Sequence, residues 1–155
     1  MDYGAALEMR FGATRRGFES RPLRHSARRP ERPIAAVAVV DEAMVARAHD
    51  KVEQADDPTA HAVIVALREA SRRLGRSRLA DATIFATVEP CAMCVGALLE
   101  CDVEALVFAL PNPRDGAAGT VIQLAQHASM PRRIKVVSGI RRDEAEALYA
   151  ANSSV

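Results

Sequence analysis

The stretch TIFATVEPCAMCVGALLEC, residues 83–101, decides the fold because it joins a strand pattern, a turn and a helix pattern. Residues 83–88 are mostly β-branched, aromatic or apolar, which is typical of a buried strand. A helix is expected to open at Glu89-Pro90 and to run to about Cys101, since proline is favoured in a first helical turn. Cys91 and Cys94 therefore fall where a strand turns into a helix.

This Cys-x-x-Cys pair is ambiguous on its own. It is compatible with a redox pair, with half of a four-cysteine structural zinc site, or with two buried thiols. The chain has three cysteines, so only Cys101 remains beside the pair and a four-cysteine site is excluded. The odd count also argues against a secreted disulfide framework. A redox pair stays open, although it does not account for a histidine that lies earlier in the chain.

A second helix start lies in DPTAHAVIVALREASRRLG, residues 57–75. Asp57 is expected to be the N-cap, with Pro58 at a position where a missing N–H costs nothing. Apolar residues then recur at helical spacing, and Gly75 is a natural stop. His61 is therefore expected in the first turn of this helix.

The rest of the chain alternates strand and helix patterns, which indicates a layered α/β domain. Residues 34–40 are expected to form a buried strand with residues 43–48 as its hairpin partner. Further strands are expected at 104–110 and 133–137, helices at 120–129 and 143–150, and a loop at 111–119. The predicted organisation is an Arg-rich segment at 1–32 with a short helix around 2–11, a domain at 33–150 and a tail at 151–155.

Composition limits the class of protein. With 155 residues, 49% of them hydrophobic, the chain has room for one core and not for two full-sized domains. No apolar run reaches the roughly 18 to 20 residues that a membrane span requires, and the N-terminus lacks a secretory pattern, so a cytoplasmic protein is expected. Residues 1–33 hold eight Arg against four acidic residues, whereas the remainder carries a net charge of −3. Basic arms often contact nucleic acid, but a frayed Arg-rich terminus is the simpler interpretation.

His61 and the cysteine pair together form a ligand set suited to Zn²⁺. One imidazole and two thiols are borderline-soft ligands, and three protein ligands leave a fourth position for water. The positive end of each helix dipole stabilises thiolates and disfavours imidazolium, so both helix starts favour the metal-binding forms. The sequence therefore predicts a metal site formed by His61, Cys91 and Cys94.

Residues 57–62, DPTAHA, and residues 87–97, TVEPCAMCVGA, resemble the two zinc motifs of the cytidine/deoxycytidylate deaminase superfamily. The closer resemblance is to its bacterial tRNA-specific adenosine deaminase branch, and it extends in one register over roughly residues 33–148. It implies a three-layer α/β/α fold with a mixed five-stranded sheet and helices on both faces, assembled as a homodimer or larger homo-oligomer. It also implies a Zn²⁺ cofactor and hydrolytic deamination, in which an activated water attacks a ring carbon that bears an exocyclic amine.

The chain departs from the family pattern at Val63, because the motif His-x-Glu is replaced by His-Ala-Val. In the family that glutamate moves protons between the water, the ring and the departing amine, which valine cannot do. We therefore expect a folded, zinc-binding protein with turnover reduced by about 10²–10⁴-fold or more. Three explanations stay open: a substitution introduced to inactivate the protein, a natural non-catalytic homologue, or replacement by another carboxylate, for which Glu89, Asp50 and Asp115 are candidates.

The resemblance places substrate contacts at Asp50, Ile34, Val88 and Glu89. Asp50 stands where the family commonly has an asparagine, and an ionised aspartate favours a ring edge rich in N–H donors because it only accepts hydrogen bonds; a solvated loop aspartate is the alternative. The tRNA-acting branch usually ends in an aromatic and basic helix, whereas residues 148–155 here, LYAANSSV, have neither a Phe pair nor a basic cluster. The expected partner is a small aminated base or nucleoside rather than nucleic acid, with tRNA adenosine deamination and a non-catalytic zinc-pocket binding protein as alternatives.

Overall fold

A computed structural model of the chain describes residues 33–152. The segment predicted at 1–32, with its helix around 2–11, lies outside the described residues, as do residues 153–155. Each helix within residues 33–152 is too short or too polar to span a bilayer. The elements follow in the order β1 (Ala35–Val40), β2 (Ala43–His49), α1 (Val52–Ala55), α2 (Ala62–Leu74), β3 (Ala82–Val88), α3 (Ala92–Glu100), β4 (Ala105–Leu110), β5 (Lys135–Ser138) and α4 (Arg142–Asn152).

The five strands form one mixed sheet in the order β2-β1-β3-β4-β5. Strand β1 is antiparallel to β2 and β3, whereas β3, β4 and β5 run parallel. The β1–β2 hairpin turns at Asp41 and Glu42, whose φ angles of 46° and 60° suit a tight two-residue connection. Because β3 and β4 are parallel, their last residues, Val88 and Leu110, lie side by side at one edge of the sheet.

Helices α2 and α3 cover one face of the sheet and form the main core with it. The apolar spacing of α2 buries Val63, Leu67 and Ala70 on this face. Gly75 ends α2 as predicted, because its φ of 66° allows the left-handed C-cap.

Helix α4 lies against the opposite face, where Ala145 packs on Ala109 and Leu110. A smaller cluster of Val39, Phe85 and Val107 belongs to the same face of the sheet. The chain therefore has a three-layer α/β/α fold around a mixed five-stranded sheet, which confirms the predicted fold class.

The predicted starts of α2 and α3 are wrong by a few residues. The Asp57 carboxylate does not cap α2; its Oδ1 accepts hydrogen bonds from the backbone N–H and the hydroxyl of Thr59, at 2.8 and 2.7 Å. This local turn delays the helix, so that His61 is the N-cap. In α3 the N-cap is Cys91, and Pro90 lies outside the helix. His61 and Cys91 consequently lie just before a helix rather than inside its first turn.

The helix predicted at 120–129 is also wrong, because the backbone there bonds back to an earlier part of the loop. The N–H groups of Val121 and Ile122 both donate to the carbonyl of Gly116, and that of Leu124 donates to Ala117. These bonds replace the i to i−4 ladder of a helix. The sequence pattern does not predict the short helix α1, and α4 runs two residues past the predicted helix end at 150.

Candidate metal centre

Three side chains from two separate stretches of sequence meet at one point. His61 precedes α2, Cys91 precedes α3, and Cys94 lies in the first turn of α3. One ligand atom from each lies within 4.8 Å of the other two, and no other histidine, cysteine or acidic residue joins them among those that the structure describes. The predicted ligand set is therefore brought together.

The distances between these atoms fit a tetrahedral zinc ion. His61 Nδ1 lies 3.5 Å from Cys91 Sγ and 3.6 Å from Cys94 Sγ, and the two sulfurs are 3.8 Å apart. With Zn–S of about 2.3 Å and Zn–N of about 2.05 Å, tetrahedral geometry separates sulfur from nitrogen by roughly 3.6 Å and two sulfurs by roughly 3.8 Å. The three protein ligands thus already hold the spacing that zinc requires, with room for a fourth ligand from solvent or substrate.

The local electrostatics favour a thiolate at this point. The contact with the Cys94 sulfur lowers the pKa of Cys91 to about 5, and the neighbouring His61 ring acts in the same direction. The same contact, together with burial, raises the pKa of Cys94, and the negative charge of Asp50 adds to this effect. The pair therefore carries one thiolate at neutral pH, which is the form that binds a metal.

Position 63 offers no proton-transfer group. Val63 is the second residue of α2, is 4% exposed and packs within the main core. Val63 follows His61 by two residues in sequence, and the family motif has its glutamate at this position. The structure therefore leaves the zinc ligands in place and puts an apolar side chain at the motif position.

Asp50 and Ile34 lie together on the side of the site formed by β1 and β2. The N–H of Asp50 donates to the carbonyl of Ile34 at 2.9 Å, and the next N–H, that of Lys51, donates to the carbonyl of Ala60 at 2.9 Å. Ala60 immediately precedes His61, so Asp50 is held near the metal ligands. The Asp50 Oδ1 accepts the N–H of Val52 at 3.2 Å, which orients the carboxylate.

Val88, a predicted substrate contact, and Asp115, a candidate replacement carboxylate, have other neighbours in the structure. Val88 packs with Leu110 and Tyr149 and lines a cavity of about 350 Å³ beside α4, which none of the three ligand residues lines. Asp115 is exposed and lies 3.4 Å from Arg114. The roles of Asp50, Ile34, Val88 and Glu89 toward a substrate stay predictions.

Glu89 is buried, with an exposed fraction of 2%. Its Oε1 accepts the N–H groups of Ala118 and Thr120 at 2.9 and 3.0 Å, and its Oε2 accepts the N–H of Asn112 at 3.1 Å. Burial alone raises the pKa of this carboxyl, but hydrogen bonds from Thr120, Asn112 and Ala118 outweigh burial, so that its pKa is lowered. Sequence reasoning missed these partners because they act mainly through backbone N–H groups, which any residue but proline supplies.

Comparison with known proteins agrees with this geometry. Residues 20–110 match the cytidine and deoxycytidylate deaminase zinc-binding region. The chain is 38% identical over 121 residues to a tRNA-specific adenosine deaminase of Bacillus subtilis (strain 168), covering 78% of this chain and 75% of that protein. It is 31% identical over 115 residues to a tRNA-specific adenosine deaminase of Aquifex aeolicus (strain VF5), covering 74% of this chain and 76% of that one.

Two solved structures show the same fold. One comes from a study of A-to-I editing by tRNA deaminases at the wobble position of transfer RNA, with a TM-score of 0.72 and 31% identity over 75% of this chain and 84% of that chain. The other is guanine deaminase from Nitrosomonas europaea, with a TM-score of 0.66 and 27% identity over 79% of this chain and 74% of that chain. The ligand geometry, the fold and the matched zinc-binding region together show that this chain belongs to the cytidine and deoxycytidylate deaminase family.

Proposed function

We propose that this chain is a zinc-dependent hydrolytic deaminase for an exocyclic amine on a small nucleobase, nucleoside or related amino-heterocycle, with turnover impaired by Val63. The observation that carries the proposal is the spacing of 3.5, 3.6 and 3.8 Å among His61 Nδ1, Cys91 Sγ and Cys94 Sγ. When bound there, zinc supplies an activated water at neutral pH. His61, Cys91 and Cys94 would hold the metal and leave one position open.

Asp50 is the residue that bears on the kind of ring. It lies beside the metal ligands with its carboxylate oriented by the N–H of Val52. An ionised carboxylate accepts hydrogen bonds and cannot donate them, so it favours a ring edge that carries N–H groups. Guanine presents such an edge, and the similarity to a guanine deaminase structure agrees with this preference.

Two of the three candidate replacement carboxylates, Glu89 and Asp115, support impaired turnover. Glu89 is engaged by three backbone N–H groups of a loop, and Asp115 is exposed beside an arginine. Neither is placed to do the work of the motif glutamate. Loss of a positioned general acid/base costs about 10²–10⁴-fold, and one residue serves several proton transfers here.

Deamination of adenosine in tRNA is the second candidate, favoured by the sequence relatives in Bacillus subtilis and Aquifex aeolicus. The charge of the described residues argues against it, because RNA affinity depends on phosphate neutralisation. Residues 33–152 hold 13 Lys and Arg against 16 Asp and Glu. Several of the arginines are paired with carboxylates, namely Arg72 with Glu69, Arg76 with Asp81, Arg78 with Asp102, and Arg142 with Glu146.

Replacing Val63 tests the proposal. We expect Val63→Glu to raise ammonia release by about 10²–10⁴-fold from at least one free base or nucleoside, because it restores the proton-transfer group. Val63→Gln is the matched control, since glutamine has nearly the same shape as glutamate and cannot transfer the proton. The panel includes guanine, adenine and cytosine, their nucleosides, and a tRNA anticodon stem-loop.

Each result separates the candidates. Activity of Val63→Glu on free bases or nucleosides supports the proposal, whereas activity confined to the stem-loop supports deamination of adenosine in tRNA. If Val63→Glu binds zinc and releases ammonia from nothing in the panel, both enzyme readings fail and a non-catalytic zinc-pocket binding protein remains. Assembly as a homodimer stays a prediction, which light scattering on the purified full chain checks.

A further inference from the structure

The helix fixes the position of Cys91 less than it fixes that of Cys94. Cys94 lies inside α3 and is 2% exposed, so helix geometry and core packing hold it. Cys91 precedes α3, with an extended backbone at φ −74° and ψ 174°, and its side chain makes no capping hydrogen bond. Its placement therefore depends on what packs against the turn between β3 and α3.

The loop that follows β4 packs against this turn. Gly116 forms an isolated antiparallel bridge with Cys91, and the N–H of Ala117 donates to the carbonyl of Pro90 at 3.0 Å. The loop thus lies along the backbone of the ligand residue itself. Whatever holds the loop in place also holds one side of Cys91.

The Glu89 carboxylate binds this loop at three points. It accepts backbone N–H groups from Asn112, Ala118 and Thr120, which lie on both sides of Gly116 in sequence. Hydrogen bonds to a buried carboxylate are stronger than those between neutral groups. Glu89 is also the only charged side chain that is fully buried among the described residues, so these bonds form away from competing water.

Gly116 shows how closely the loop approaches the carboxylate. A Cβ added at Gly116 would lie 2.5 Å from Glu89 Oε2 and 2.6 Å from the Asn112 carbonyl oxygen, which is closer than real carbon atoms come. Only glycine fits between these groups. The loop, the carboxylate and the turn before α3 therefore form one tightly packed unit.

We propose that Glu89 is a positioning residue for the metal site, which holds residues 112–120 against the Pro90–Cys91 backbone and so fixes the Cys91 sulfur for zinc. Glu89 touches neither metal nor substrate in this role. Its effect reaches zinc through Gly116 and the backbone of Cys91. The proposal concerns metal binding alone, so it does not depend on whether the chain deaminates a substrate.

Glu89→Gln tests this role with metal as the probe. The substitution keeps the volume but turns one accepting oxygen into an NH₂ group that faces backbone donors. We expect zinc release to a chelator to become about 10- to 100-fold faster, as for other residues that orient a metal ligand. The visible absorption of the Co²⁺-loaded full-length protein should change as well, because the Cys91 sulfur shifts relative to His61 and Cys94.

Two further variants separate positioning from general destabilisation. Gly116→Ala pushes the loop away from Glu89 and should reproduce the faster release and the altered Co²⁺ spectrum. Ile84→Val removes a methylene from a fully buried side chain of β3, five residues before Glu89, and should leave both unchanged. Release rates are compared at temperatures where the variants are equally far below their unfolding midpoints.

The proposal is overturned if Glu89→Gln releases zinc no faster than Ile84→Val, or if its Co²⁺ spectrum matches that of the parent protein. It is also overturned if Gly116→Ala behaves as the parent. Should Glu89→Gln not fold, Gly116→Ala decides together with Thr120→Val, which removes the hydroxyl partner of Glu89 and keeps the backbone bond. Faster release in both supports the role, and parent-like release in either rejects it.

Discussion

The turns before α2 and α3 do the same task with different means. Each puts a zinc ligand at the N-cap in an extended conformation, His61 at ψ 149° and Cys91 at ψ 174°. The turn before α3 is supported by a buried carboxylate, Glu89, whereas the turn before α2 is closed by the exposed Asp57. The residue that differs from the family motif, Val63, belongs to α2. Metal binding and proton transfer are therefore separable properties of neighbouring positions.

The largest effect is expected from removing a ligand. Cys91→Ala should reduce bound zinc from about one ion per chain to less than roughly a tenth of an ion per chain, because two protein ligands bind zinc much more weakly than three. Cys101→Ala is the matched control, since Cys101 lies at the opposite end of α3 and outside the cluster. Metal analysis of the purified proteins measures both. Equal loss of zinc in the two variants would contradict the assignment.

The next effect concerns whether position 63 faces the metal. Val63 is 4% exposed, so a glutamate there should lower the free energy of unfolding of the zinc-free protein by about 3 kcal/mol. Bound zinc should offset much of this cost, because its charge lies near the new carboxylate. Urea unfolding of Val63→Glu with zinc and with chelator measures the difference, with Val63→Gln as the uncharged control. The same loss in both conditions would place position 63 away from the metal.

The strands and the metal ligands could be predicted from sequence, whereas the helix starts could not. Apolar runs place β1, β3 and β4 within one or two residues, because burial on both faces leaves an unbroken pattern. The ligands lie in two short motifs, so local spacing was sufficient. Asp57 and Pro90 are standard helix-start signals, but a local turn and packing against the 112–120 loop moved the starts of α2 and α3 to His61 and Cys91.

The contacts that support the turn before α3 could not be predicted from the sequence, for a different reason. The partners of Glu89 are backbone N–H groups of Asn112, Ala118 and Thr120, at 23 to 31 residues from it in sequence. Backbone donors leave no residue-specific signal, and only the folded chain shows which of them converge. Gly116 is the one residue whose type points to these contacts, since glycine is needed where the backbone approaches another group too closely for a Cβ atom.

Acid should weaken the turn before α3 by protonating Glu89. Its pKa is lowered in the folded chain from an ordinary value near 4.5, so its contribution to stability is complete above about pH 4.5 and is lost as the pH falls through the folded-state value. The free energy of unfolding of the zinc-free protein should exceed that of Glu89→Gln by about 2 kcal/mol at pH 7. Urea titrations from pH 7 to pH 3 with chelator present check this. A gap that does not narrow below pH 4.5 would show that the ionised carboxylate is not the source of the difference.

The smallest effect is expected at the turn before α2. Asp57 accepts two hydrogen bonds from Thr59, but its side chain is 37% exposed and water can replace it at both donors. Asp57→Ala should therefore release zinc at close to the parent rate, well below the ~10-fold increase expected for Glu89→Gln. His61 would still be held by the N–H of Lys51 on the Ala60 carbonyl, a bond that needs no side chain from Asp57. If Asp57→Ala and Glu89→Gln released zinc equally fast, burial of the supporting carboxylate would not be what distinguishes the two turns.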